Sequence, residues 1–237
     1  MAIRPFLAMT AAEIRNCTPL PPKIAWMACH FSPYGRGLSN LPNELPENSL
    51  LVVDDITPIH RHDPEVITRQ LLECSERLFF HGVLLDFQRP GKKETAELAA
   101  YLSKALPCPV AVSEHYAADC CSSPVFLSPL PPSVALRDYL KSWQEREVWL
   151  DLSCWGEVLR LAEDGCTSTP LSPGELPDRG FEEQTLHCHY QITEKDNAVE
   201  FTLWRTQKDL SALLEAAEEF GVTTAVGLYQ EFSLFPL

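Results

Sequence analysis

The sequence predicts an α/β protein: a single (β/α)8, TIM-barrel-like domain over residues 1–237, with antiparallel hairpins added late in the chain. Three observations predict it. Short apolar runs alternate with amphipathic, helix-spaced segments, the order that gives a parallel sheet with crossovers. One run, "LLVVDD", is apolar without a break until its two aspartates, as a parallel strand buried on both faces must be. The chain has 237 residues, 45% of them hydrophobic, and a barrel of this kind typically needs about 250. An open doubly wound sheet is the alternative, but no glycine-rich phosphate loop such as GxGxxG supports it.

The elements follow in order. "IRPFLAMT" reads as the first strand, with a helix starting at Ala11. "KIAWMACHF" is the second strand and runs into "SPYGRGLSNLPNELPENS", a long Pro-, Gly- and Asn-rich loop. After "LLVVDD", Asp63-Pro64 supplies an N-cap and an N1 proline for the helix "PEVITRQLLECSERLF". "GVLLDF" is the fourth strand and "KKETAELAAYLSKAL" the helix behind it. "PVAVSEHYA" and "PVFLSPLPP" are further strands, "SVALRDYLKSWQ" is a helix capped by Ser133, and "EVWLDLSCW" is a strand. The pattern then changes to two hairpins near residues 157–204, one turning at Asp164-Gly165 and one near Lys195 to Asn197. Between them "TSTPLSPGELPDRG" reads as a loop. "KDLSALLEAAEEFG" is a helix stopped at Gly221, and "VTTAVGLYQEF" is the last strand.

Composition narrows the function. The formal charge is −14, from 33 acidic and 19 basic residues. No basic stripe exists, which argues against a nucleic-acid partner, and the same charge disfavours anionic membrane surfaces. No apolar run approaches the roughly 20 residues that span a bilayer. Nine cysteines without a CxxC spacing, behind a start ("MAIRPFLAMTAAEIRN") that lacks a signal-peptide pattern, point to buried thiols in a reducing cytoplasm. No cofactor motif is present.

In a barrel the active site lies at the C-terminal strand ends. The residues expected there are Cys29-His30, Asp54-Asp55, Asp86 with Gln88 and Arg89, Glu114-His115, Ser128, Asp151, Trp204-Arg205, and Tyr229 with Glu231. Strand ends meet water and collect polar residues, so any one of them is explained by solvent. As a set they are acidic and aromatic, which suits a carbohydrate: carboxyls handle protons and aromatic faces stack on sugar rings. "GVLLDFQ" resembles the "DxxDxDxE" strand of the family 18 glycoside hydrolases, the chitinase-like barrels. Asp86 matches the third aspartate. His81 and Leu84 stand at the first two, and Gln88 stands where the glutamate closes the motif. The resemblance implies a sugar site in which the closing glutamate is the general acid and the preceding aspartate supports it.

A glutamine has no comparable titrating proton to give a leaving glycosidic oxygen, although it keeps the shape and can hydrogen-bond a hydroxyl. The residues assigned to catalysis are therefore Asp86, with Glu114 and Glu231 as replacement acids. Those assigned to substrate binding are Asp55, Gln88, Asp151, Trp204 and Tyr229. The expected function is a glycoside-hydrolase-like barrel that acts on or binds a carbohydrate, with catalysis impaired or altered at Gln88. A non-catalytic barrel that binds a sugar or a protein is the alternative.

A third reading is a metal-dependent hydrolase. "His60-Arg-His62" and "His187-Cys-His189" would each share one face of a strand. The first pair follows the third strand and precedes a helix cap, and the second opens a hairpin, so neither has the context of a metal pair. No GxSxG elbow is present for a serine nucleophile.

Overall fold

A computed structural model describes residue 3 and residues 5–57, 62–89, 92–163, 165–195 and 197–232. The expectations for His60, Pro90, Asp164 and Asp196 fall outside the described residues. In chain order the elements are β1 (Phe6–Met9), α1 (Ala11–Asn16), β2 (Ile24–Phe31), β3 (Leu38–Ser39), β4 (Leu50–Asp54), α2 (Pro64–Leu78) and β5 (Gly82–Asp86). Then come α3 (Lys93–Ala105), β6 (Val110–Ser113), β7 (Val125–Leu127), α4 (Leu136–Leu140) and β8 (Val148–Leu152). The last group is β9 (Gly156–Ala162), β10 (Gly165–Leu171), β11 (Phe181–Glu183), β12 (Cys188–Lys195), β13 (Ala198–Trp204), α5 (Gln207–Glu219), β14 (Val222–Leu228) and α6 (Tyr229–Phe232).

Eight of these strands are parallel neighbours in the order β1-β2-β4-β5-β6-β7-β8-β14, and β1 pairs with both β2 and β14, so the sheet closes. The barrel is thus the predicted one. Alternation divides each strand between two cores. Phe6, Ala8, Ala25, Leu50, Val52, Leu84, Ala111, Phe126, Trp149 and Val226 fill the interior. The residues between them face outward. Val53, Val83, Leu85 and Phe87 pack with Ile67, Leu71 and Leu98 of α2 and α3, and Leu127 and Leu150 pack with Leu136, Leu210 and Leu213 of α4 and α5.

Local chemistry sets the helix ends. Thr10 and Glu13 form a capping box at α1, and the Asp63 carboxylate accepts from the backbone N–H groups of Glu65 and Val66 at the start of α2, as predicted. Ser133 does not cap α4. That helix starts later, at Leu136, and the Ser133 backbone N–H donates to Glu157 at 2.6 Å. The helix layer is also thinner than a full (β/α)8 set. Among the described residues no α-helix follows β2 or β6: β3 turns back antiparallel on β2, and only a 3-10 turn, Glu114–Tyr116, follows β6. The Gln70 side chain holds the first of these loops to α2 through both backbone groups of Leu38.

The late strands form a five-stranded antiparallel sheet, β10-β9-β13-β12-β11, inserted between β8 and α5. Both predicted hairpins are in it, and the segment expected to be a loop supplies most of β10. The Arg205 guanidinium, 5% exposed, fastens this sheet to the barrel. It donates to the carbonyls of Leu130 and Pro131 after β7 and to those of Leu186 and His187 before β12. Glu157, 3% exposed, ties the same junction by accepting from Ser133 and Ser168.

Candidate functional site at the barrel mouth

Three neighbouring strands end in register. His30 of β2 lies beside Asp54 of β4, and Asp54 lies beside Asp86 of β5. Asp54 and Asp86 are two residues beyond the interior residues Val52 and Leu84, so both face into the barrel. Asp151 stands two residues beyond interior Trp149 on β8 and shares that orientation. Phe87, between Asp86 and Gln88, is fully buried on the outside against Phe31 and edge-on to Tyr116, as alternation demands.

The carboxyls differ in what they hold. Asp54 accepts from the His30 ring Nδ1 at 2.7 Å and from the Ile56 backbone N–H at 3.1 Å. Asp55 turns away from the mouth. Its two oxygens accept the backbone N–H groups of Gln88 and Arg89 at 3.0 and 3.1 Å, which fixes the loop beyond β5. That loop carries the Gln88 side chain back to Asp86, to which its amide donates. Glu114 accepts from the Ser128 hydroxyl at 2.5 Å, and Glu231 accepts from the Cys154 backbone N–H at 2.7 Å. The carboxyl of Asp151 has no hydrogen-bond partner among the described residues.

These placements perturb the acids. Burial pushes the Asp86 carboxyl above the ordinary range. The hydrogen bond from Gln88 opposes that rise, and the charges of Asp54 and Asp55 add to it. Burial, helped by the charges of Asp86 and Glu231, pushes Asp151 up to about 8. The Tyr139 hydroxyl is raised as well, first by burial and then by Glu114 and Asp151; it donates to the Ser128 carbonyl at 2.5 Å. Asp151 thus feels the charges of Asp86 and Glu231, Tyr139 those of Glu114 and Asp151, and Asp55 fixes the loop beyond β5.

Besides Asp55, whose oxygens are taken by the loop backbone, two expected residues lie elsewhere. The Trp204 ring is 4% exposed, packed on His189 at 5.8 Å between centroids and covering Gly180, so it offers no open face to a sugar. Tyr229 lies on α6, not on a strand, because β14 stops at Leu228; its hydroxyl donates to the Cys17 Sγ at 3.4 Å on the rim. Glu231 also sits on that short helix, yet it reaches the mouth. Sequence reasoning placed His30, Asp54 and Ser128 at strand ends without assigning them to the site, and it missed Tyr139, which lies on α4.

Among the described residues no group of three His, Cys, Asp or Glu could hold a metal ion; His60 of the first histidine pair lies outside them. His189 is engaged by Asp209 at 2.8 Å, and His187 sits in a turn with φ at 49°. Among the described residues all nine cysteines are free thiols, and five of them are buried. No described helix is long and apolar enough to cross a membrane.

No protein-family model matches the chain, and no curated protein matches its sequence. Solved structures do match. A class V chitinase mutant from Nicotiana tobaccum in complex with NAG4 superposes with a TM-score of 0.62, over 96% of this chain and 93% of that one, at 10% identity. This chain shares the closed (β/α)8 barrel fold of that enzyme. A chitinase-like agglutinin from Robinia pseudoacacia gives a TM-score of 0.60 at 10% identity, covering 93% of each chain. The spore cortex-lytic enzyme SleL of Bacillus cereus gives 0.55 at 11% identity, over 98% of this chain and 73% of that one. At such identities the likeness is one of fold.

Proposed function

We propose that the barrel mouth binds a carbohydrate built from amino sugars, and that Gln88 leaves it without the acid on which chitinase-like catalysis depends. The observation that carries this reading is the Gln88 amide, held on Asp86 at the end of the fourth barrel strand. Asp55 clamps the backbone of Gln88 and its neighbour, and the exposed Gln88 side chain is held by its bond to Asp86. A fixed amide and a row of carboxyls can hydrogen-bond sugar hydroxyls and amide groups. Two of the similar structures support the choice of sugar. Both are chitinases in which a glutamate has been replaced by glutamine, and they hold NAG4 and (GlcNAc)4. This chain carries glutamine without any replacement. The acids proposed as substitutes, Glu114 and Glu231, are each already tied to a protein donor, which favours a binding role over catalysis.

Calorimetric titration with tetramers of N-acetylglucosamine, glucosamine and glucose tests the reading. At least one amino-sugar tetramer is expected to bind one to one, and glucose tetramer to bind more weakly. Asp86→Ala is expected to weaken the amino-sugar complex about tenfold, the scale of one charge-assisted hydrogen bond. Failure of both amino-sugar tetramers to bind would sink the reading.

A further inference from the structure

The inserted sheet has two unlike faces, and register with alternation sorts its residues between them. Leu159 and Leu161 of β9, Val199 and Phe201 of β13 and Ile192 of β12 lie on one face. Phe181 of β11 continues it, with its ring on Tyr190 at 5.6 Å. The opposite face carries Trp204 and is partly covered by the 172–180 segment: Leu176 lies against Gly156, and the Trp204 ring lies against Gly180. Nothing comparable covers the first face. Leu161, Ile192 and Phe181 are 44, 53 and 68% exposed. Among the described residues, no side chain of this face belongs to any of the three apolar cores.

Charge is sorted in the same way. Arg160 and Lys195 are the only lysine or arginine in the five strands, and alternation puts both on the opposite face. Arg160 lies there 3.9 Å from Glu200. The apolar face is bordered by acids instead: Glu194 opposite Val199, and Glu183 two residues beyond Phe181. At the hairpin end Glu163 and Glu194 join Leu161 and Val199 around a recess of about 500 Å³, which Lys195 edges from the opposite face.

We propose that this face docks a basic amphipathic helix of a partner protein, independently of the sugar reading. The helix seats its apolar side on Leu159, Leu161, Phe201 and Ile192 and brings its lysines or arginines to Glu163, Glu183 and Glu194. A sheet face offers side chains and no backbone groups, so an occupant must bond its own backbone, as a helix does. The apolar rows cover roughly 15 by 20 Å on sheet spacings, and a helix with its side chains is about 10 to 12 Å wide. A stable pairing of whole domains buries about 800 Å² on each side, more than this patch supplies. A second copy would also set acid border against acid border, which a cationic helix avoids.

The test titrates the full chain into a fluorescent model helix with leucines on one side and lysines on the other, and into its leucine–glutamate counterpart. Anisotropy is expected to show the lysine helix bound at least about tenfold tighter, and less tightly as salt rises. A chain of charge −14 attracts any basic peptide, so the deciding variants add acid. Ile192→Asp and Leu161→Asp alter exposed positions of the apolar face, and each is expected to weaken binding about tenfold despite the added negative charge. Thr193→Asp adds the same charge on the opposite face and is expected not to weaken it. Binding unchanged or strengthened in a folded Ile192→Asp protein overturns the inference, as does equal binding of the two helices or none of the lysine helix. Sedimentation showing a wild-type dimer that Ile192→Asp dissociates would assign the face to a second copy and overturn it too.

Discussion

Gln88→Glu is expected to raise hydrolysis of chromogenic amino-sugar glycosides by about 10² to 10⁴-fold over the wild-type chain, the range that general acid catalysis contributes. Asp55 already fixes the backbone at residue 88, and the side chain there already reaches Asp86. A glutamate on the same backbone would place a second carboxyl against Asp86, which burial and the charges of Asp54 and Asp55 already push above the ordinary range. Two carboxyls that close cannot both ionise easily, so one keeps its proton near neutral pH. That is the proton a leaving glycosidic oxygen requires. Rates for wild type, Gln88→Glu and the double variant with Asp86→Asn, across acetylated and free-amine glycosides, check it. The double variant should lose most of the gain. Equal rates for wild type and Gln88→Glu would show that residue 88 does not stand at the reacting bond.

Arg205→Met is expected to destabilise the protein by about 3 kcal/mol, because truncating a buried charge strands its partners. Its guanidinium serves four carbonyls from two segments that no other described side chain joins in the same way: 130–131 on the barrel and 186–187 on the inserted sheet. Methionine fills much of the volume but donates nothing. Burial holds the guanidinium pKa down to about 10, with the charges of Cys188, Asp209 and Glu157 opposing that fall, so the group remains charged at neutral pH. Urea denaturation of the two proteins measures the effect. A loss under about 1 kcal/mol would mean that the junction is held by apolar packing and that the four carbonyls find water.

Where a feature depends on a residue and its near neighbours, the sequence was enough. The unbroken run 50–53 could only be buried on both faces, and the Asp63-Pro64 pair could only start a helix. The period of two in "GVLLDFQ" put Asp86 inward and Phe87 outward. What depends on distant partners was not legible. The row His30–Asp54–Asp86 exists because β2, β4 and β5 pair in one particular register, with an irregularity in β2 between Trp26 and Cys29 that local patterns do not announce. Ser133 looked like a cap, but Glu157, 24 residues away, claims its backbone N–H. Trp204 looked like a stacking platform because it ends a strand. It ends a strand of the inserted sheet, where Gly180 lies beneath its ring and leaves room for it. Tyr139 gave no signal, since a tyrosine on an amphipathic helix is ordinarily packing.

The central claim is that the sugar site lies at Asp86, Gln88 and Asp151. A crystal soaked with a glucosamine or N-acetylglucosamine tetramer tests it most directly. The account predicts density for a sugar ring in the barrel mouth, within hydrogen-bonding distance of the Gln88 amide and the Asp86 or Asp151 carboxyl. Density for the oligosaccharide on another surface, with the mouth holding only solvent, would contradict it.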